Sequence, residues 1–240
     1  MFAPHEINLM YQKTAILIFT RTSGAEARHK LSGDQLSYGT NQRICAELIT
    51  KTRRAAQQTN FSVIEIDSDQ QIGHNLGERL SNSIESVFQA GFEQILVIGT
   101  DTPDISKKLL QTAAQQISHT QASLGASKDG GAYLIGFHKN QFDKTDFSNL
   151  DWESDRVFDA LVDYFSIQGT AIYSTKTLQD IDSFYDLMQF LKQSVSSLFV
   201  DTLQRLVDSS TAITRQLTPS FQISTGYNLY NYNRPPPFHV

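Results

Sequence analysis

The feature that most constrains this chain is an alternation. Short apolar runs recur along it, and longer stretches of helical period separate them. Residues 15–19 read AILIF, a β-branched and aromatic run of the kind that fills a strand buried on both faces. Residues 62–66 (SVIEI), 95–98 (ILVI) and 133–137 (YLIGF) repeat the theme, with weaker runs at 122–126 and 171–173. Between them, residues 41–59 carry helical period. So do the sets Leu80, Ile84, Val87, Phe88 (stopped by Gly91) and Leu109, Leu110, Ala113, Ala114, Ile117. Two further helical sets follow at 157–165 and 184–191, and the second continues with a break to Leu206. Strands alternating with amphipathic helices predict an α/β fold with a mostly parallel central sheet and helices on both faces. Such sheets bind ligands beyond the carboxyl ends of their strands, which directs attention to the loops after Phe19, Ile98 and Phe137.

Size and charge narrow the function. The 240 residues suit one large α/β domain, and a net charge of −5 with mixed signs lacks the basic stripe of a nucleic-acid binder. Cys45 is the single cysteine, so neither an internal disulfide nor a cysteine-rich metal site is available. The six histidines are scattered, and zinc is not expected. The first twenty residues lack the pattern of a signal peptide and no run is long enough to span a bilayer, so the chain reads as cytoplasmic. After about Ser209 the composition turns to Ser, Thr, Asn, Tyr and a final Arg-Pro-Pro-Pro. Residues 1–208 are therefore read as the domain, and 209–240 as a tail that offers an arm for a homo-oligomer interface.

Four loops can carry chemistry. In Gly99-Thr100-Asp101-Thr102-Pro103-Asp104, Asp101 follows a buried strand and can offer a carboxylate to magnesium or manganese, or serve as a turn acid. Asp104 reads as the cap of the following helix. In Lys128-Asp129-Gly130-Gly131, paired glycines allow a tight turn or a close approach to a ligand, and Asp129 can orient a hydroxyl. After the first strand, Arg21, Arg28 and Lys30 place three cations where phosphates could be held, without a Walker or GxGxxG pattern. Asp182, in Asp180-Ile181-Asp182, reads equally as a helix cap and as a metal carboxylate.

Taken in order, these pieces resemble a bacterial glycosyltransferase-A-like family of unknown function. It is the transferase 1 type associated with radical-SAM or selenium proteins, within the nucleotide-diphospho-sugar transferase superfamily. The resemblance rests on Gln70 to Leu80 (QQIGHNLGERL), Gly99 to Asp104, Asp129 to Gly136 (DGGAYLIG), Trp152-Glu153-Ser154 and Asp180 to Leu187 (DIDSFYDL). The first loop departs from the family pattern: its prolines are gone, and Arg28-His29-Lys30 stands for Lys-Thr-Arg. The resemblance implies a single Rossmann-like GT-A domain. It implies a divalent metal, Mg or Mn, on Asp101 and Asp182, and Asp101 and Asp129 as catalytic acids. Arg21, Arg28, Lys30, Arg79 and Thr100 would bind the nucleotide, with Gly130, Gly131 and Trp152 on the sugar or acceptor side. The implied activity is metal-dependent transfer from a nucleotide-activated sugar. Alternatives are a nucleotidyltransferase using a nucleoside triphosphate, and a non-catalytic nucleotide-binding or assembly module.

Overall fold

The computed structural model describes residues 13–31 and 35–217. Six strands form one sheet: β1 (Thr14–Phe19), β2 (Ser62–Ile66), β3 (Gln94–Ile98), β4 (Gln121–Ala126), β5 (Ala132–His138) and β6 (Ala171–Ser174). Their order is β2-β1-β3-β5-β4-β6. Every neighbouring pair is parallel except the two made by β5, which runs against both β3 and β4. The expected α/β fold with a mostly parallel sheet is what the chain adopts.

Eight helices surround the sheet among the described residues: α1 (Ser23–His29), α2 (Tyr38–Gln57), α3 (Leu76–Gln89), α4 (Lys107–Gln116), α5 (Lys144–Ser148), α6 (Val157–Ile167), α7 (Phe184–Gln193) and α8 (Leu198–Leu217). Successive strand residues face opposite sides, so each buried strand feeds two cores. Ala15, Leu17, Ile95 and Val97 pack with Leu80 and Ile84 of α3 and with Leu161 and Phe165 of α6. Ile16, Ile18, Leu96 and Ile98 pack on the other face with Ala55 and Ala56 of α2 and Leu110 and Ala113 of α4. A third cluster ties Ile44 and Leu48 of α2 to Leu187 of α7 and Leu203 and Val207 of α8, with Leu31 and Ile181 from loops. Helices therefore cover both faces, as expected.

Three local expectations are corrected. The basic segment after β1 is a helix, α1, because the Thr22 hydroxyl caps it by accepting from the Ala25 N–H. Asp104 does not cap the helix after β3. That helix starts later, at Lys107, and the Ser106 hydroxyl accepts from the Leu109 N–H. Asp182 does not cap α7 either: Ser183 and Asp186 form a reciprocal capping box there. The last helix runs across the 208/209 boundary to Leu217, and the rest of the expected tail, 218–240, lies outside the described residues.

The reversal of β5 decides which loops share an edge. The loop after Phe137 lies at the opposite edge, beside the start of β3, where the Lys139 N–H donates to the Glu93 carbonyl at 2.8 Å. The β4–β5 hairpin, residues 127–131, takes its place beside the loops after β1 and β3. That hairpin needs glycine at 130. Gly130 has φ +93°, and a Cβ there would lie 1.8 Å from the Asp155 carbonyl oxygen. Gly91, at φ +101°, has open space around it. Gly91→Ala should cost about 1–2 kcal/mol, the penalty for left-handed backbone. Gly130→Ala should lose that and roughly 1–3 kcal/mol more from the clash. Urea denaturation of both variants checks the ordering; equal losses would contradict it.

Candidate functional site

Four chain segments converge at the carboxyl edge of the sheet. Paired groups join the ends of the strands. The hydroxyls of Thr20, after β1, and Thr100, after β3, are 2.8 Å apart and buried. The Gln71 side chain donates to the Thr20 carbonyl at 2.6 Å and to the Ile66 carbonyl at 3.3 Å, tying β1 to β2. The segment after β6 is stitched on by its backbone: the Leu31 N–H donates to the Asp182 carbonyl at 2.8 Å, and the Ile181 N–H to the Asp101 carbonyl at 2.9 Å. The Lys128 N–H donates to the Leu178 carbonyl at 3.0 Å, adding the hairpin.

This stitching brings Lys30, Asp101 and Asp182 together. The Lys30 ammonium donates to Asp101 Oδ2 at 2.5 Å and also to Asp182 Oδ1. Its side chain is only 13% exposed. Burial works against the charged ammonium, but the two carboxylates outweigh it and hold the lysine pKa above its ordinary range. Burial likewise works against the Asp101 charge; Lys30 more than compensates, and the Asp101 pKa lies below its ordinary value.

Asp180 stands differently. It accepts from the Thr102 hydroxyl at 2.5 Å, and among the described residues no lysine, arginine or histidine forms an ion pair with it. Burial, and then the nearby Asp101 charge, push its carboxyl up to about 7. Asp129, Asp180 and Asp182 each offer an oxygen, and these oxygens lie within 4.8 Å of one another. Oxygen-only, carboxylate-rich groups of this kind suit a hard divalent cation such as Mg or Mn. An acid left without a counter-cation in such a set fits that chemistry.

These acids open into a cleft of about 540 Å³ between the hairpin, α3, and the turns around Trp152. Asp101, Asp129, Glu153, Asp155, Asp180 and Asp182 line it, and among the described residues no lysine or arginine does. Gly131 and Trp152 line it as well. The Trp152 indole donates to the Phe147 carbonyl at 2.9 Å. Gly77 lets α3 approach this turn, because a Cβ there would sit 2.1 Å from the Ser148 carbonyl oxygen.

The sequence-predicted residues divide accordingly. Asp101, Asp129, Gly131, Trp152 and Asp182 meet at the cleft, and Lys30 joins them through Asp101 and Asp182. Gly130 forms the hairpin beneath. Thr100 is buried against Thr20. Arg21 lies 3.6 Å from Glu26, and Arg28 is exposed on α1; neither lines the cleft. Arg79 sits on α3 with a buried Nε that has no hydrogen-bond partner among the described residues, and it too lies off the cleft lining. The residue missed as part of the site is Asp180. A signal for it exists: in Asp180-Ile181-Asp182 the central residue is apolar and 1% exposed, so an extended chain turns both flanking acids the same way.

The mostly parallel six-stranded α/β fold is shared with a solved structure. The chain is similar to a crystal structure from Desulfovibrio desulfuricans G20 described as a "putative nucleotide-diphospho-sugar transferase". The TM-score is 0.74 at 21% identity, covering 85% of this chain and 98% of that one. A cytidylyltransferase from Leptospira borgpetersenii serovar Hardjo-bovis is a remoter likeness: TM-score 0.45, 14% identity, 87% of this chain and 99% of that one. Residues 37–154 match the family described as "Uncharacterized protein conserved in bacteria (DUF2064)". A bacterial family of unknown function, as the motifs led us to expect, is thus matched over that span, without the expected association with radical-SAM or selenium proteins. No curated protein matches the sequence. No helix among the described residues is long and apolar enough to cross a membrane.

The Asp180 shift has a signed consequence. A carboxyl whose pKa is raised on folding binds its proton more tightly in the folded state. Its contribution to stability is present at low pH and is lost as pH rises from the ordinary carboxylate range to about 7. In chelator-treated buffer, Asp180→Asn should therefore lose less stability than wild type across that window. Urea midpoints measured at the two ends test this, and parallel losses would contradict it.

Proposed function

We propose that this protein is a divalent-metal-dependent transferase acting on a nucleotide-activated sugar. The observation that carries the reading is the cleft itself. Six carboxylates line it, and Lys30, which reaches two of them, is already shared between Asp101 and Asp182, so a nucleotide diphosphate entering the cleft needs a further cation to meet it. Asp129, Asp180 and Asp182 would hold that cation, with Asp101 beside them. When bound, Mg or Mn would offset the charge of the diphosphate and of the leaving group. Asp129 is kept in place by the Gly131 N–H, which donates to its Oδ1 at 2.9 Å, and it would orient or deprotonate the acceptor hydroxyl. The Trp152 side chain and the Gly130-Gly131 turn would border the sugar. The fold shared with the Desulfovibrio structure and the ordered motifs support this assignment. We further read the chain as a single transferase domain with a C-terminal arm, acting in the cytoplasm.

The test is ligand-dependent stabilisation followed by product analysis. With manganese present, a panel of nucleotide sugars should contain at least one that raises the melting temperature. A ligand at a hundredfold excess over its Kd contributes about 2.7 kcal/mol. Asp182→Asn and Asp129→Asn should remove the manganese-dependent part of the shift. Released nucleoside diphosphate supports the transferase; released pyrophosphate from a nucleoside triphosphate would assign nucleotidyl transfer instead. If no nucleotide shifts the protein with or without manganese, the enzymatic reading falls.

A further inference from the structure

We infer that Lys30 is a tethered counter-cation that competes with the divalent ion for Asp182, so that loading the metal releases the lysine toward the substrate's phosphates. The inference rests on the metal-dependent reading above and adds the residue that regulates it. Asp182 belongs to two sets at once. One oxygen accepts from the Lys30 ammonium, and the residue is also one corner of the Asp129–Asp180–Asp182 group. The ammonium therefore already supplies positive charge where a metal would be held. A second cation entering the group meets repulsion from the first, and Asp182 cannot satisfy both equally.

The surrounding structure permits an exchange without opening the fold. The backbone on both sides of Lys30 is fixed: its own N–H donates to the Glu26 carbonyl at 2.8 Å, and the next N–H, of Leu31, donates to the Asp182 carbonyl at 2.8 Å. Leu31 is 1% exposed, anchored in the cluster with Ile44 and Leu187. Only the flexible lysine side chain has to turn, a rotamer change among staggered wells. A lysine suits this role better than arginine. It is a compact point charge on a flexible stem, whereas a planar guanidinium would bind a carboxylate bidentately and hold it. Arg21 pairs with Glu26 and Arg28 is exposed on α1, whereas Lys30 already reaches two of the acids that line the cleft. Once released, Lys30 is the cation best placed to meet a phosphate brought in by the metal.

The test uses manganese alone as the probe, titrated calorimetrically into wild type, Lys30→Gln and the control Arg28→Gln. Loss of the competing charge should tighten manganese binding at least tenfold in Lys30→Gln and leave Arg28→Gln unchanged. Without metal, Lys30→Gln should melt below wild type, because Asp101 and Asp182 are left facing each other, and manganese should restore it. This rescue separates competition from a folding defect. Equal or weaker manganese affinity in Lys30→Gln overturns the exchange while leaving the metal reading intact. Absence of manganese binding in wild type and variant alike overturns both.

Discussion

Everything at the functional edge depends on one ammonium group holding two carboxylates. Asp101 and Asp182 come from segments far apart in the chain, and without a cation between them their charges would push the loops after β3 and β6 apart. Lys30 resolves this with an ion pair on each side, and the backbone bonds from Leu31 to Asp182 and from Ile181 to Asp101 fix the same three segments. The electrostatics and the backbone stitching support each other. The carboxylates are close because the backbone bonds exist, and those bonds are tolerable because the charges are met. Asp180 is left outside this arrangement: it accepts from the Thr102 hydroxyl, and burial together with the nearby Asp101 charge pushes its carboxyl up to about 7.

The sheet topology makes the arrangement possible. In a fully parallel sheet the segment from β4 to β5 would have to cross over, and the residues following β5 would reach the ligand edge. Here β5 returns antiparallel, so a short hairpin brings Asp129 to that edge and sends the residues after Phe137 to the other. Gly130 pays the conformational requirement of this hairpin, packed against the Asp155 carbonyl.

Much of this was legible in the sequence, and the failures have identifiable causes. The six apolar runs coincide with the six strands to within a residue at either end, because buried strands need apolar side chains on both faces. The long amphipathic helices were equally plain. Helix α1 was not: its seven residues, SGAEARH, bury only Glu26 and Ala27, too little for an apolar period to register. The caps were misplaced by one or two residues at Asp104 and Asp182, since Ser and Asp both cap and the choice between neighbours is made by the backbone path. The direction of β5 was invisible as well, because an apolar strand reads the same in either orientation. A parallel β5 would bring the loop after Phe137 to the ligand edge, and the antiparallel one carries it to the opposite edge. The convergence of Lys30 with two acids is a tertiary fact, and no spacing announces it. Even so, Asp101, Asp129 and Asp182 each stand out in their own loops, and the fold brings the three to one cleft.

The described residues build an acidic cleft at the carboxyl edge of a mostly parallel α/β sheet, where Lys30 pairs with two of the acids and the proposed divalent ion would complete the set. The most direct measurement is anomalous diffraction at the manganese edge, from crystals soaked with manganese and a nucleotide sugar. The account predicts a manganese peak coordinated by Asp182 together with Asp129 or Asp180, with the diphosphate bound to it. A diphosphate bound elsewhere, or seated in the cleft with no metal joining it to these carboxylates, would contradict it.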